Sequence, residues 1–250
     1  MPQYRYSASP YRFGPGPISP GIKMLIKLNI LAFAATIVWP RLILSFGLTP
    51  QAVFEQFHFW QPVTYLFLHG GLFHILFNML ALWMFGVELE RLWGSKAFIK
   101  YYFVTGIGAA VTVLFVSLLP IASADQMYSS VTIGASGAVY GVLLAFGLYY
   151  PDRPIYMYFL FPVPAKYFVM IIGGILFFSS LNDTNSGISH EAHLGGLLAG
   201  YLYLRGGGGG TTNLIGEIKY QYIKWKMNRL RRRFHVHPGK RDDDWTGPVH

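Results

Sequence analysis

A serine and a histidine in this sequence have the residue types and the setting that nucleophilic chemistry needs. Ser136 lies between Gly134 and Gly137, and glycines let the backbone turn tightly into the start of a helix. The unpaired N–H groups of a first helical turn point towards incoming negative charge. We therefore expect the Ser136 hydroxyl to act as nucleophile, its own N–H to bind an oxyanion, and His193 to act as general base.

Three further residues are spaced so that they could assist this chemistry. His74 and Asn78 are four positions apart, so both side chains project from one face of a helix. We expect them to donate hydrogen bonds to the oxyanion beside the Ser136 N–H. Tyr140 lies one helical turn after Ser136, where its ring could stack on the His193 imidazole and fix its orientation.

The composition is typical of a membrane protein. Of the 250 residues, 12% are charged and 53% are hydrophobic, whereas soluble domains carry roughly 25% charged residues. The formal charge is +9. The sequence has no cysteine, which excludes disulfides and thiolate chemistry.

Six apolar segments approach the roughly 20 residues that a membrane-spanning helix needs. The first twenty residues are polar and lack the pattern of a cleavable signal peptide, so we expect the first span to be retained. The predicted spans are residues 24–46, 66–87, 98–119, 131–150, 166–181 and 188–204.

Positive charge predicts the orientation of these spans. If the N-terminus is cytoplasmic, every Lys and Arg residue except Arg41 lies on the inner side, in keeping with the positive-inside rule. The sequence therefore predicts an all-α membrane protein with six transmembrane helices and both termini in the cytoplasm. Its parts are a tail at residues 1–21, a membrane domain at 22–205, and a glycine linker with a basic tail at 206–250.

The polar residues of the second, fourth and sixth spans lie at one predicted depth. Counting helical rise from the inner ends puts Asn78, Ser136 and His193 roughly 18–21 Å above the inner boundary. With a hydrocarbon core of about 30 Å, they lie on the order of 10 Å below the outer surface, and His74 lies one turn higher. Since no Asp or Glu residue falls at this depth, we predict a Ser–His dyad without an acidic third member.

Small residues predict that the fourth and sixth helices pack closely enough for this dyad to form. Gly137 and Gly141 make a small-xxx-small pair on the fourth helix. Ala192, Gly196 and Gly200 make a similar stripe on the sixth. Such stripes let two helix backbones approach each other, as a hydrogen bond between the two side chains requires.

The basic tail carries an apolar stripe after its glycines. Two interpretations remain open: a solvated basic helix, and a helix that lies on anionic lipid headgroups. Nucleic-acid binding is not expected, because no aromatic–basic platform accompanies the charges. The stripe consists of Leu214, Ile218, Tyr222 and Trp225.

Three motifs together resemble those of the rhomboid family of intramembrane serine proteases. Residues 69–78 resemble its H-x-x-x-x-H-x-x-x-N block, residues 134–137 its GxSG nucleophile motif, and residues 192–196 its AH-x-x-G motif. The order and the spacing of the motifs also fit, and the resemblance covers roughly residues 22–205. It implies a six-helix fold with Ser136 as nucleophile and His193 as base. It also implies that His74 and Asn78 are at the oxyanion hole.

The resemblance also implies a substrate class. The expected reaction is hydrolysis of a peptide bond in or beside a transmembrane segment of a membrane-protein substrate, with small residues favoured at the cleavage point. Six spans without added targeting segments make a bacterial cytoplasmic membrane the expected location. Residues 47–62, named loop 1 here, would be the membrane-embedded first outer loop. Many bacterial members have Trp-Arg where this chain has Trp60-Gln61, a departure that concerns a polar contact within loop 1 and not the chemistry.

Two other functions compete with this prediction. Residues 190–193, His-Glu-Ala-His, superficially resemble a zinc motif, but the zinc pattern H-E-x-x-H separates its ligands by four positions and here the separation is three. An intramembrane metalloprotease is therefore disfavoured, and no metal or cofactor is expected. A transporter or substrate-binding scaffold with a polar cavity would use Ser136 and His193 to bind cargo, but the sequence has no inverted repeat.

Two further histidines are expected at the edges of the site. His69 lies in the outer loop before the second span, where a structural or lipid-interface role competes with a catalytic one. His190 is expected at the membrane surface, near the start of the sixth span.

Overall fold

The computed structural model describes residues 15–120, 124–157, 161–182 and 190–206. Within these ranges six helices are long, and four short ones lie in the connections. The predicted basic tail with its apolar stripe lies outside the described residues. In chain order the elements are α1 (Pro20–Val38), α2 (Leu42–Phe46), α3 (Pro50–Glu55), α4 (Gln61–Thr64), a 3₁₀ turn (Tyr65–Phe67), α5 (Leu72–Trp93), α6 (Ser95–Val116), α7 (Ala124–Ser129), α8 (Ser136–Tyr149), β1 (Pro154–Met157), β2 (Phe161–Pro164), α9 (Ala165–Asn182) and α10 (His190–Arg205).

The long helices correspond one by one to the six predicted spans. Among the described residues, α1, α5 and α6 are long and apolar enough to cross a membrane. The helices α8 and α9 are apolar but shorter, and α10 has 16 residues. The predicted number of spans and the predicted orientation of the termini stay predictions.

The predicted ends of two spans are wrong, for different physical reasons. The first span does not continue to residue 46, because α1 ends at Val38, two residues before Pro40, and proline disfavours helical backbone in the residue that precedes it. The second span is displaced towards the C-terminus. The helix α5 begins after Gly71 and continues past Glu88 and Glu90, whose charges end the apolar segment in the sequence.

A small β-hairpin between α8 and α9 corrects the prediction that the protein is purely α-helical. Strand β1 pairs antiparallel with β2, from Pro154 opposite Pro164 to Met157 opposite Phe161. Proline cannot donate a ladder hydrogen bond, but a two-stranded sheet has a free edge on each strand and tolerates it. The hairpin also ties the start of α9 to the end of α8, since the Ala165 N–H donates to the Arg153 carbonyl at 2.9 Å.

The helices α6, α8 and α10 pack against one another through small residues, which is how helices associate closely in membranes. A Cβ atom at Gly196 of α10 would overlap the Gly137 carbonyl of α8, and one at Gly108 of α6 would overlap Ala199 of α10. Tyr101 of α6 donates its hydroxyl to the Gly141 carbonyl at 2.7 Å. The predicted contact between the small-residue stripes of the fourth and sixth helices is therefore present.

A buried carboxylate near the C-terminal end of α5 holds the start of α1. Glu90 accepts hydrogen bonds from the N–H groups of Gly21 (2.7 Å) and Ile22 (2.9 Å). These N–H groups belong to the first turn of α1 and have no intrahelical acceptor, so the carboxylate caps that helix. The hydroxyls of Ser19 and Ser95 donate to the same carboxylate, Ser95 at 2.5 Å.

We expect Glu90→Gln to lower the free energy of unfolding by about 2–3 kcal/mol, because hydrogen bonds to a buried charged group are worth more than neutral ones. Glu88→Gln is the matched control, since Glu88 forms a partly exposed pair with Arg153 and such pairs contribute about 1 kcal/mol or less. Reversible unfolding in detergent measures both changes. Equal losses for the two variants would contradict the capping role.

Candidate active site

Ser136 is the first residue of α8, as its glycine-flanked position predicts. The chain that leads to it is held by main-chain hydrogen bonds on two sides. Leu48 and Thr132 exchange N–H to carbonyl bonds of 2.9 and 2.8 Å, and the Gly134 N–H donates to the Tyr65 carbonyl at 2.9 Å. The first N–H groups of α8, including that of Ser136, have no intrahelical acceptor and are available to an anion.

Gly134 is a position that only glycine fits. Its φ of +122° lies in a region that side chains disfavour. A Cβ atom there would lie 2.7 Å from Nε2 of His74 and 3.7 Å from the Ser136 hydroxyl. The missing side chain therefore leaves open the space between these two polar groups.

Ser136 and His193 form a hydrogen bond across two helices. The His193 Nε2 lies 2.7 Å from the Ser136 Oγ, although the residues are 57 positions apart in the chain. His193 lies in the first turns of α10 and is buried. The Tyr140 ring packs on the imidazole with a centroid distance of 4.4 Å and an interplanar angle of 33°, the contact that the sequence predicts. A hydroxyl paired with a buried, ring-packed imidazole can transfer its proton to that base.

His74 and Asn78 face the same cavity as the pair. The Gly70 N–H lies 3.4 Å from Nδ1 of His74, a long hydrogen bond that assigns the ring hydrogen to Nε2, the atom beside Gly134. The Asn78 amide donates one hydrogen to the His74 carbonyl at 2.9 Å. The structure thus brings all four predicted site residues together, as the common depth in the sequence predicts.

The cavity has a volume of about 560 Å³, and its walls are mostly apolar. Its polar lining includes His74 and Asn78 of α5, Ser136 and Tyr140 of α8, and His193 of α10. Sequence reasoning missed the contribution of α9, although the four-residue spacing of its two lining residues indicates a helix face. The apolar lining comes mainly from Phe73, Phe77 and Phe85 of α5, Val139 and Leu143 of α8, and Phe168 and Ile172 of α9.

Two other histidines are buried beside the site. His69 is 1% exposed and contacts the His74 ring edge-on at 4.9 Å, which favours a structural role over one at the lipid interface. His190 is buried too, with its ring 6.5 Å from that of His193, and its predicted position at the membrane surface stays a prediction. In the described part of the chain, no three His, Asp or Glu side chains come together in a way that could hold a metal ion.

Comparison with known proteins places this chain in a family. The family model described as the Rhomboid domain matches residues 56–207, more than half of the chain. The chain belongs to the rhomboid family. Together with its apolar helices, this membership makes it a multi-pass integral membrane protein.

Several rhomboid proteins of known name are similar to this chain. The rhomboid protease GluP of Bacillus subtilis is 33% identical over 160 residues, which cover 64% of this chain and 28% of GluP. The rhomboid protease AarA of Providencia stuartii is 28% identical over 194 residues, covering 71% of this chain and 69% of AarA. The mitochondrial rhomboid protein 1 of Saccharomyces cerevisiae is 33% identical over 138 residues, covering 55% of this chain and 38% of that protein. The chain thus spans between about a quarter and two thirds of these relatives.

We expect Gly196→Ala to destabilise the protein by about 1–3 kcal/mol, because its Cβ would meet the Gly137 carbonyl and force α8 and α10 apart. The Ser136–His193 hydrogen bond should then weaken, and labelling of Ser136 by a serine-reactive fluorophosphonate should slow. Gly174→Ala in α9 is the control, since no atom lies within 4 Å of its added Cβ. Labelling of the Gly196 variant at the unaltered rate would contradict this account.

Proposed function

We propose that this chain is an intramembrane serine endopeptidase that uses a Ser136–His193 dyad. The observation that carries the proposal is the 2.7 Å hydrogen bond between a serine at a helix N-terminus and a buried histidine, both facing one cavity. Family membership supports it, and so do the bacterial relatives that are named as proteases.

The first step forms an acyl-enzyme. The Ser136 Oγ attacks the carbonyl carbon of the scissile peptide bond while its proton passes to Nε2 of His193. The carbonyl oxygen becomes an oxyanion, which accepts hydrogen bonds from the Ser136 N–H, the His74 Nε2–H and the second hydrogen of the Asn78 amide. When the intermediate collapses, the C–N bond breaks, and the leaving amine takes the proton from His193.

The second step releases the other product. Water enters the cavity and gives one proton to His193, and its oxygen attacks the acyl carbon. The ester bond then breaks, Ser136 recovers a proton from His193, and the new carboxyl end of the substrate departs. Gly134 leaves room for the oxyanion, and Gly137 leaves room for α6 and α10. Tyr140 keeps the imidazole oriented towards Ser136 in both steps.

The substrates proposed are membrane proteins cut in or beside a transmembrane segment. The mostly apolar walls of the cavity, contributed by α5, α8 and α9, suit such a segment better than a soluble peptide. No step requires a metal or a cofactor. The small residues expected at the cleavage point would suit a reaction centre that is crowded by Tyr140 and the two rings of His74 and His193.

The proposed topology has six spans and both termini in the cytoplasm of a bacterium, with the dyad about 10 Å below the outer surface. The basic residues at the helix ends support it. Lys100, Arg153 and Arg205 lie at the ends opposite the dyad, each near a tyrosine ring, as in the aromatic and basic belts of membrane proteins. Contact of residues 206–250 with anionic lipids is proposed from the sequence alone.

We expect Ser136→Ala to lower cleavage of a single-span substrate in liposomes by at least about 10⁴-fold, because no other group supplies the nucleophile. The unfolding temperature should stay close to that of the unaltered protein. Ser129→Ala, at an exposed serine of α7, is the control and should cleave normally. Continued cleavage by the Ser136 variant would exclude the serine mechanism, and cargo binding without cleavage by the unaltered protein would favour a transporter or scaffold.

Asn78→Ala should reduce kcat by roughly 10²–10³-fold and leave KM nearly unchanged, because the oxyanion exists only in the transition state. Steady-state kinetics in liposomes with a fluorogenic single-span substrate separates the two constants. A rise in KM with an unaltered kcat would show that Asn78 binds the substrate and does not stabilise the oxyanion.

A further inference from the structure

Loop 1 contains a fully buried polar side chain that the chemistry above does not use. Gln61 is the first residue of α4 and has no exposed surface. Burying an amide is costly unless its hydrogen bonds are satisfied. Its partners therefore show what the side chain contributes to the fold.

The Gln61 amide joins two segments of the chain in one orientation. Its Oε1 accepts the Thr49 N–H at 3.0 Å, and its Nε2 lies 3.4 Å from the Ser45 carbonyl and 3.3 Å from Nδ1 of His58. A main-chain N–H can only donate and a carbonyl can only accept, so a flipped amide would lose both main-chain bonds. Gln61 thus fixes residues 45–49 relative to the start of α4.

Each of the two segments that Gln61 joins supplies one anchor for the chain before Ser136. Leu48, next to Thr49, exchanges two main-chain hydrogen bonds with Thr132. Tyr65, which directly follows α4, accepts the Gly134 N–H at 2.9 Å. The two anchored residues, Thr132 and Gly134, both lie within the last four residues before Ser136, and Gln61 links the two segments that hold them.

We propose that Gln61 is a positioning residue for Ser136, which acts by holding the two main-chain anchors of the segment that leads to it. The proposal rests on the proposed function for the role of Ser136 itself. Gln61 does not line the cavity, so the effect passes through the backbone from residues 45–49 and 61–65 to residues 132–135.

Other contacts keep loop 1 folded when Gln61 is changed. The Trp60 indole donates to the Ser45 carbonyl at 2.9 Å, and the Thr64 hydroxyl donates to the Phe46 carbonyl at 2.7 Å. Both reach residues 45 and 46 but not Thr49. Loss of the Gln61 amide should therefore free residues 48 and 49, and with them the Thr132 anchor, while the rest of the loop stays in place.

The test compares Gln61→Met, which keeps the side-chain length but removes the hydrogen bonds, with Gln51→Met. Gln51 is an exposed glutamine of the same loop that bonds only Glu55 in the described structure, at 3.1 Å. Two rates are measured well below the unfolding temperature: cleavage of a single-span substrate in liposomes, and labelling of Ser136 by a fluorophosphonate. We expect Gln61→Met to lower kcat and the labelling rate about tenfold or more, with KM within about twofold, because small misplacements of a reacting group are costly. Gln51→Met should match the unaltered protein.

The outcomes separate this proposal from its alternatives. A lower unfolding temperature with unaltered kcat and labelling rate would make Gln61 purely structural and overturn the proposal. If Gln61→Met does not fold, Gln61→Asn decides, since it keeps an amide but is one methylene too short to bond both Thr49 and Ser45. Slower labelling of a folded Gln61→Asn supports the proposal, and an unaltered rate overturns it. Absence of both labelling and cleavage in the unaltered protein would contradict the proposed function instead.

Discussion

The close approach of α8 and α10 is the constraint on which the site depends. Ser136 and His193 lie on different helices, so the distance between their side chains is set by the distance between two backbones. Gly196 makes this approach possible, because its bare Cα faces the Gly137 carbonyl. A hydrogen bond weakens within a few tenths of an ångström, whereas one added methyl group moves a helix by more than that. The packing distance between α8 and α10 therefore also decides whether Ser136 and His193 can form their hydrogen bond.

The second constraint is that non-helical backbone within the membrane needs hydrogen-bond partners inside the protein. On the proposed topology, two stretches of the described chain have this requirement: loop 1 and the segment before Ser136. They satisfy each other through the Leu48–Thr132 pair and through the Tyr65 carbonyl. These hydrogen bonds satisfy buried main-chain groups, and they also hold the segment that leads to Ser136.

The sequence predicts the residues of the site better than the edges of the elements that hold them. The rise of a helix per residue is constant, so counting residues along a span gives the depth of each side chain. This count places the polar residues of three spans in one layer: Ser136, His193, His74 and Asn78. The glycines beside Ser136 also locate the start of α8. Their chemical roles stay predictions, whereas their shared cavity is present in the structure.

The features that the sequence does not predict depend on contacts between distant segments. The helix α5 continues past Glu90 because that carboxylate finds donors from α1 and α6, which no hydropathy window can include. His69 is polar and lies in a loop, yet it is buried under His74. Gln61 differs from the arginine expected by resemblance, and only its three partners in the fold reveal that it still provides a polar contact within loop 1.

The separation of Ser136 and His193 along the chain has a consequence for biosynthesis. Ser136 begins the fourth long helix, whereas its base lies 57 residues later, in the sixth. During synthesis and insertion the serine is therefore present well before the histidine that would activate it. On the proposed mechanism, the growing chain stays inert towards other membrane proteins until α10 has entered the bilayer and packed against α8. On that mechanism, the order of the helices delays activity until the sixth long helix is in place.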